Sequence, residues 1–384
     1  MNKFFKILFS IFLVLLFKTS ISYSEETKIR IGVLAPLSGE NSSLGKQILN
    51  SIRMAIIDIK NNNIEIYPKD TRSDPDVTLR SALEFEKMGI SLVIGPVFHK
   101  NLLFLDKVKN ITFLSLTNKT LGVHKNIISS GINSSSQLNT IKKFLEKSEI
   151  EKTIFLIPNL NYDLEIKKGI KESKIKFFKQ YNYDIDPTKL TKQIEKITNY
   201  GVRKQNLLDE ISRVENSDDP NKEKIIENLE KRYTLGNVKF DSVIVTDFDE
   251  SLKSVVTSLL YTDVSPKKKY IITLNQWFDE SLLKEKNLQP IYYPSINKQN
   301  LDKFTDKFFK KFNYKPSYLS LLSYDLIGLI YYLSLTNEAL EISKLFKTQN
   351  TFKGKIGVFE IKDNKINHQL NFYQINNGKL IEIF

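Results

Sequence analysis

The sequence contains no cysteine in 384 residues. That excludes disulfides, thiol nucleophiles, thiolate metal sites and a lipoprotein anchor, so stability has to come from core burial. Histidine is scarce as well. His99, His124 and His368 lie far apart, show no metal-ligand spacing, and read as loop or surface residues. No GxSxG elbow and no GxGxxG fingerprint occurs, and no repeat or low-complexity linker interrupts the chain. These absences point away from an enzyme and leave no resident metal or cofactor to expect. The apolar run "ILFSIFLVLLF" at 7–17 breaks at Lys18, short of the ~20 residues that a membrane-spanning helix needs.

That run has another use. It follows the basic start "MNKFFK" and precedes the small residues Ser22 and Ser24, the layout of a cleaved export signal over 1–24. The expected mature chain is periplasmic, with no membrane span and no lipid anchor. The formal net charge of +13 is distributed as interleaved Lys and Glu rather than gathered in a basic block, so nucleic acid is not an expected partner. A hydrophobic content of 41% with 11% aromatics describes a globular chain, long enough for two lobes.

The apolar periodicity alternates strands and helices. "KIRIGVLAP" reads as a strand. The helix after it carries Leu44, Ile48, Ile52, Ile56 and Ile59 on one stripe, with Ser42 or Ser43 placed to cap it. "SLVIGP", "ITFLSL", "KTIFLIP", "FDSVIVTD" and "KKYIITLNQW" continue the series, which implies parallel sheets covered on both faces by helices. Residues 188–233 break the rhythm. They are charged, with Leu190, Ile194, Ile197, Leu207, Ile211 and Val214 at helical spacing, and read as a helical hairpin inserted into the second lobe.

The stretch "IGVLAPLSGENSSLGKQ" looks at first like a phosphate loop. Five residues separate Gly39 from the Gly45–Lys46 pair, and Gln47 stands where a Ser or Thr would hold magnesium, so a Walker loop fails on both counts. In open parallel sheets ligands sit beyond the carboxyl ends of the strands. The loops at those ends are Pro36–Ser43, Gly95–His99, Thr117–Thr120, Pro158–Tyr162, Asp247–Glu250 and Asn275–Trp277. Trp277 follows a polar strand end and is expected in a cleft.

Pro36, Ser38, Gly39 and Gly45 form the Pro-x-Ser-Gly turn, further Gly and long helix that resemble the start of type I periplasmic binding proteins of the Leu/Ile/Val-binding class. "LVIGPVF", "ITFLSLTNKT" and "SYDLIGLIYYL" resemble later elements of the same family. The block "FLSLTNKTLGVHKNIISSGINSSSQL", the hairpin at 188–233 and the ending "TFKGKIGVFEIKDNKINHQLNFYQINNGK" are similar to its penicillin-binding-protein-activator-like branch. The resemblance implies an α/β fold of two lobes joined by three crossings, each lobe a parallel sheet flanked by helices. Residues 28–145 and 290–338 would form the first lobe, 146–289 and 339–384 the second. It implies ligand contacts at Ser43 and Leu44, at Thr117 and Asn118, at Tyr162, and at Asp247 or Phe248 near the acid that grips an α-amino group. The implied role is non-catalytic regulation or sensing in the cell envelope, with a peptidoglycan synthase as partner. The alternative is a solute receptor that delivers an amino acid or another small polar molecule to an ABC permease.

Overall fold

A computed structural model of the chain describes residues 28–60, 63–335, 344, 346, 350–355 and 357–384. The expected export signal at 1–24 lies outside the described residues. The first half of the chain runs β1 (Ile29–Ala35), α1 (Ser42–Ile59), β2 (Ile64–Asp70), α2 (Pro75–Lys87), β3 (Leu92–Ile94), β4 (Thr112–Ser115), β5 (Ile127–Ser129), α3 (Ser134–Lys147), β6 (Thr153–Pro158), α4 (Asp163–Ser173) and β7 (Lys179–Tyr183). There follow α5 (Pro187–Ile197), α6 (Tyr200–Glu215), α7 (Lys222–Glu230), β8 (Ser242–Val245), α8 (Asp249–Tyr261), β9 (Tyr270–Thr273), α9 (Glu280–Lys284), β10 (Ile291–Ser295), α10 (Lys298–Phe312) and α11 (Tyr318–Ser334). The chain ends in β11 (Asn350–Lys353), β12 (Val358–Lys362), β13 (Lys365–His368), β14 (Asn371–Asn376) and β15 (Lys379–Glu382).

Two sheets result. The first has the order β11-β12-β13-β5-β4-β3-β1-β2, the second β15-β14-β10-β9-β8-β6-β7. Both are parallel through their centres. β12 pairs antiparallel with its two neighbours and β14 with its two, so the sheets are mixed at one edge. The central strands read as unbroken apolar runs because helices cover both faces. In the first lobe Ile31, Val33 and Ile94 face α1, α10 and α11 through Ile48, Ile52, Phe308, Leu326 and Ile330. The opposite face packs Leu34, Val93 and Phe113 on Phe85 of α2. In the second lobe Ile154, Val243 and Ile271 meet α5 and α8, while Phe155, Ile244 and Ile272 meet α3 and α4.

The lobe boundaries differ from the expected ones. Helix α3 buries Leu138, Ile141 and Phe144 against Phe155, Ile157 and Phe372, so the first crossing falls at 130–133 and not at 145. Strand β10 lies in the second sheet, which moves the return crossing from 290 to 296–297. β13 pairs with β5, so β11, β12 and β13 join the first sheet and the third crossing falls at 369–370. Periodicity says which face of an element is buried but not which sheet buries it. The serine cap on α1 is also corrected. Asn41 flanks that helix without a side-chain cap, and its amide donates to Ser73 Oγ at 3.1 Å.

The insertion at 188–233 resolves into two parts. α5 covers the sheet through Leu190 and Ile194, and only α6 and α7 project, around a small core of Leu207, Val214 and Leu229.

Gly45 is needed for contact rather than for turning. A Cβ there would sit 1.9 Å from the Pro36 carbonyl oxygen, on rigid backbone. Gly45→Ala is therefore expected to lower stability by about 2 kcal/mol through forced displacement of α1 from the Pro36 turn. Thermal unfolding of the variant checks this, and an unchanged melting temperature would refute it.

Candidate functional site

A cleft of about 700 Å³ opens between the lobes. Its walls come from four of the six loops expected at carboxyl strand ends. After β3 stand Val97, Phe98 and His99, and after β4 Leu116, Thr117, Asn118 and Lys119. Phe248 and Asp249 follow β8, and Asn275, Gln276 and Trp277 follow β9. The first crossing adds Gly131 and Ile132, α3 adds Gln137, and α11 adds Leu319 and Leu322.

Hydrogen bonds fix this geometry at the first crossing and within the second lobe. The Gly131 amide donates to the Thr117 carbonyl at 2.9 Å, and a Cβ on Gly131 would come within 2.6 Å of that oxygen. The Thr117 hydroxyl accepts from the Lys119 amide at 3.2 Å, which curls the loop. Gln137 accepts the Asn275 amide at 2.8 Å, and Asn275 Oδ1 receives both the Trp277 amide and the Ser295 hydroxyl at 2.9 Å. Asn275 Nδ2 is buried with no partner among the described residues. Such a donor is strongly desolvated, so a ligand acceptor reaching it would gain a hydrogen bond.

Trp277 and Phe278 both hold positive φ, 48° and 60°, a backbone region that bulky residues seldom occupy. The kink presents the Trp277 indole to the first lobe, where it stacks on Tyr318 of α11 at 4.8 Å and 15°. Trp277 thus spans the two lobes at the rim of the cleft.

Of the expected contact residues, Thr117, Asn118, Phe248 and Trp277 line the cleft together. Ser43, Leu44, Tyr162 and Asp247 do not. Ser43 is exposed on α1 and accepts from Gln47, and Leu44 packs on the first-lobe core. The Pro36–Ser43 loop is held at the end of β2, where the Leu37 amide, the Ser38 amide and the Ser38 hydroxyl all donate to Asp70.

Asp247 turns into the second lobe and is 3% exposed. Tyr183 Oη donates to its Oδ2 at 2.6 Å, the Phe248 amide donates to Oδ1 at 2.9 Å, and Tyr162 Oη lies 3.2 Å from the same atom. Burial raises the Asp247 pKa above the usual carboxylate range, and these donors only partly offset it. Phe248 has extended backbone, φ −136° and ψ 164°, so neighbouring side chains point to opposite sides and Phe248 takes the cleft. His99 and Asp249 fall within loops expected at the rim, whereas sequence reasoning missed Gln137, Leu319 and Leu322 as lining residues. Gln137 had a signal, as a polar residue beside the buried stripe of α3.

Among the described residues no group of three or more His, Cys, Asp or Glu is arranged to hold a metal ion. No described helix is long and apolar enough to cross a membrane.

Two α/β lobes joined by three crossings around a loop-lined cleft are the fold that the resemblance to type I periplasmic binding proteins implies. Residues 28–203 match the family model for periplasmic binding proteins. Among solved structures, the C-domain of LpoA (YraM) from Haemophilus influenzae, a regulator of PBP1A, has a TM-score of 0.62 at 14% identity, with 92% of this chain and 100% of that one covered. Full-length LpoA from the same organism gives 0.64 at 12% identity and covers 94% of this chain, which spans 60% of LpoA. LivJ from Streptococcus pneumoniae, a branched-chain amino acid transporter substrate-binding protein in complex with isoleucine, gives 0.54 at 17% identity, covering 93% and 100%. No curated protein matches by sequence. At these identities the likeness carries the fold alone.

Proposed function

We propose that this chain is a non-catalytic, exported binding protein of the cell envelope, regulatory or sensing in the manner of penicillin-binding-protein activators, with a cleft that takes a small polar ligand other than a free α-amino acid. The observation that carries this reading is the state of Asp247. A carboxylate that grips an α-ammonium group must reach the cleft and be ionised. This one faces inward, is bound by two tyrosines and an amide, and has a raised pKa. Lys100 and Lys119 against Asp249 give the cleft a cationic bias, unsuited to an ammonium group. The likeness to LpoA over nearly the whole chain supports the regulatory half of the proposal. So does the projecting α6–α7 pair, whose Val202 and Leu208 are 63% and 51% exposed, a surface suited to a peptidoglycan synthase or another envelope partner.

A solute receptor for an ABC permease is the second reading, favoured by the polar lining of Thr117, Asn118 and Asn275 with its unpartnered amide. Calorimetric titration of residues 25–384 with the standard amino acids separates the two. No saturable heat from any of them is expected. Binding of one amino acid below ~100 μM, lost in Trp277→Ala, would establish the receptor and overturn the proposal. Deletion of 200–230 is expected to abolish co-purification with a synthase from envelope extracts while the two lobes still unfold cooperatively.

A further inference from the structure

A second cavity, also of about 700 Å³, lies at the opposite end of the second sheet from the cleft. The segment 231–241 enters β8 there and 262–269 enters β9, so it is built at the amino ends of strands whose carboxyl ends form the cleft. In the sequence its cations stand in separate short groups. The fold gathers Lys231 and Arg232 from the end of the α6–α7 insertion, Lys268 and Lys269 from the loop before β9, and Arg203 from α6.

Arg203 is the floor. It is 5% exposed, and its Nε, Nη1 and Nη2 donate to the Thr198 carbonyl, the Thr234 hydroxyl and the Thr262 carbonyl. Those acceptors are neutral, so its charge persists as a fixed field. Asp263 is the one acid in the lining, and it accepts from the Thr234 hydroxyl at 2.6 Å. Lys231 pairs with Glu227, and Lys269 lies 3.5 Å from Asp241. Five cations thus meet three carboxylates. The surplus of two positive charges sits on Arg232 and Lys268, whose side chains make no hydrogen bond or ion pair among the described residues. The turn between them supplies neutral donors. Gly236, at φ +99°, and Asn237 line the cavity, and their amides make no protein hydrogen bond among the described residues.

We infer that this cavity binds a phosphomonoester carried on a larger body. Such a group carries close to two negative charges at neutral pH and presents three acceptor oxygens. That matches the surplus charge and the convergence of a guanidinium, an ammonium and two amides. The cavity far exceeds one phosphate, and Tyr233, 76% exposed in its lining, offers a ring to a sugar or similar body. The same chemistry could come from a soluble phosphorylated sugar or from a lipid with a terminal phosphate. The inference is independent of what the cleft binds.

Calorimetric titration of residues 25–384 with glucose 1-phosphate at 50 mM salt tests the soluble source, with glucose as control. Sedimentation with phosphatidylcholine vesicles containing phosphatidic acid tests the lipid source, against phosphatidylcholine alone. Saturable binding in either arm is expected, competed by inorganic phosphate and weakened at least tenfold in the double variant Arg232→Ala/Lys268→Ala. Both positions are exposed, so the melting temperature should not move. Binding confined to one arm identifies the source. Absence of binding in both arms overturns the inference. So does binding that the double variant leaves intact, or that Trp277→Ala abolishes, which would place the ligand in the cleft.

Discussion

Lowering the pH from 7 to 4 is expected to remove about 3 kcal/mol of folding stability through one residue, His368. It ends β13 where the chain crosses between lobes for the third time. Its Nε2 is 2.9 Å from the carbonyl of Ser130, at the first crossing, and its amide donates to the Ser136 hydroxyl on α3. Nε2 therefore carries the proton of the neutral ring, and Nδ1 is buried with no partner among the described residues. Burial pushes the pKa down to about 4, opposed weakly by the Ser130 carbonyl. Above pH 6.5 the ring is neutral in both states and contributes no slope. Between 6.5 and 4 the unfolded chain takes up the proton first, so stability falls with pH, and below 4 the loss is complete. A fall from 6.5 to about 4, at about 1.36 kcal/mol for each tenfold change in the protonation equilibrium, gives the stated magnitude.

Other groups titrate as well. Asp58, Asp70 and Glu172 are buried enough to be pushed upward. Hydrogen bonds from Lys307 and Tyr324, from Ser38 with nearby amides, and from Lys365 and Ser135 outweigh this and hold them low. Their contribution is lost only as pH falls below the ordinary carboxylate range. Asp247 acts in the opposite sense, since its raised pKa means that acid relieves a penalty. The difference in urea midpoint between wild type and His368→Gln at pH 7, 5.5 and 4.5 isolates the histidine, because Asp247 is common to both proteins. His368→Gln keeps a donor for Ser130 and removes the titration, so it should start less stable and the gap should close as pH falls. A gap that does not change with pH would refute the assignment.

Much of the fold was legible because buried parallel strands leave a plain record. "TIFLIP" and "SVIV" are apolar without alternation, and each is the strand it reads as. The cleft was half legible for a related reason. Once the strands are parallel, their carboxyl ends point to one rim, and four of the six loops there line it. The other two fail for causes that no local pattern encodes. Asp70 holds the Pro36–Ser43 loop against β2, and Tyr162 turns inward towards Thr246 and Asp247. The tie between Tyr183 and Asp247 spans 64 residues, so the loss of that acid from the cleft is a tertiary fact. The choice between Asp247 and Phe248 was a question of register, which one extended residue decides.

That register makes Asp247→Ala the sharpest test of the site. Removing the carboxylate strips Tyr183 Oη and the Phe248 amide of their acceptor inside the second lobe and leaves Tyr162 Oη only the Thr246 carbonyl. An unsatisfied buried donor costs about 1–3 kcal/mol, and Tyr183 is 1% exposed, so water cannot replace the lost partner there. With a small cavity added, the expected loss is about 3 kcal/mol by denaturant unfolding, close to that from acidifying His368. Asp247→Asn keeps an acceptor and should lose less than half as much. A ligand-gripping acid has the reverse signature. Its burial and polar strain are relieved by truncation, so alanine leaves stability level or higher and removes ligand affinity. Measuring unfolding and ligand titration on the same variant decides between the two roles. Lost stability with intact cleft binding makes Asp247 an internal brace that fixes Phe248 at the cleft wall. Intact stability with lost binding would return it to the ligand and bring the amino-acid receptor with it.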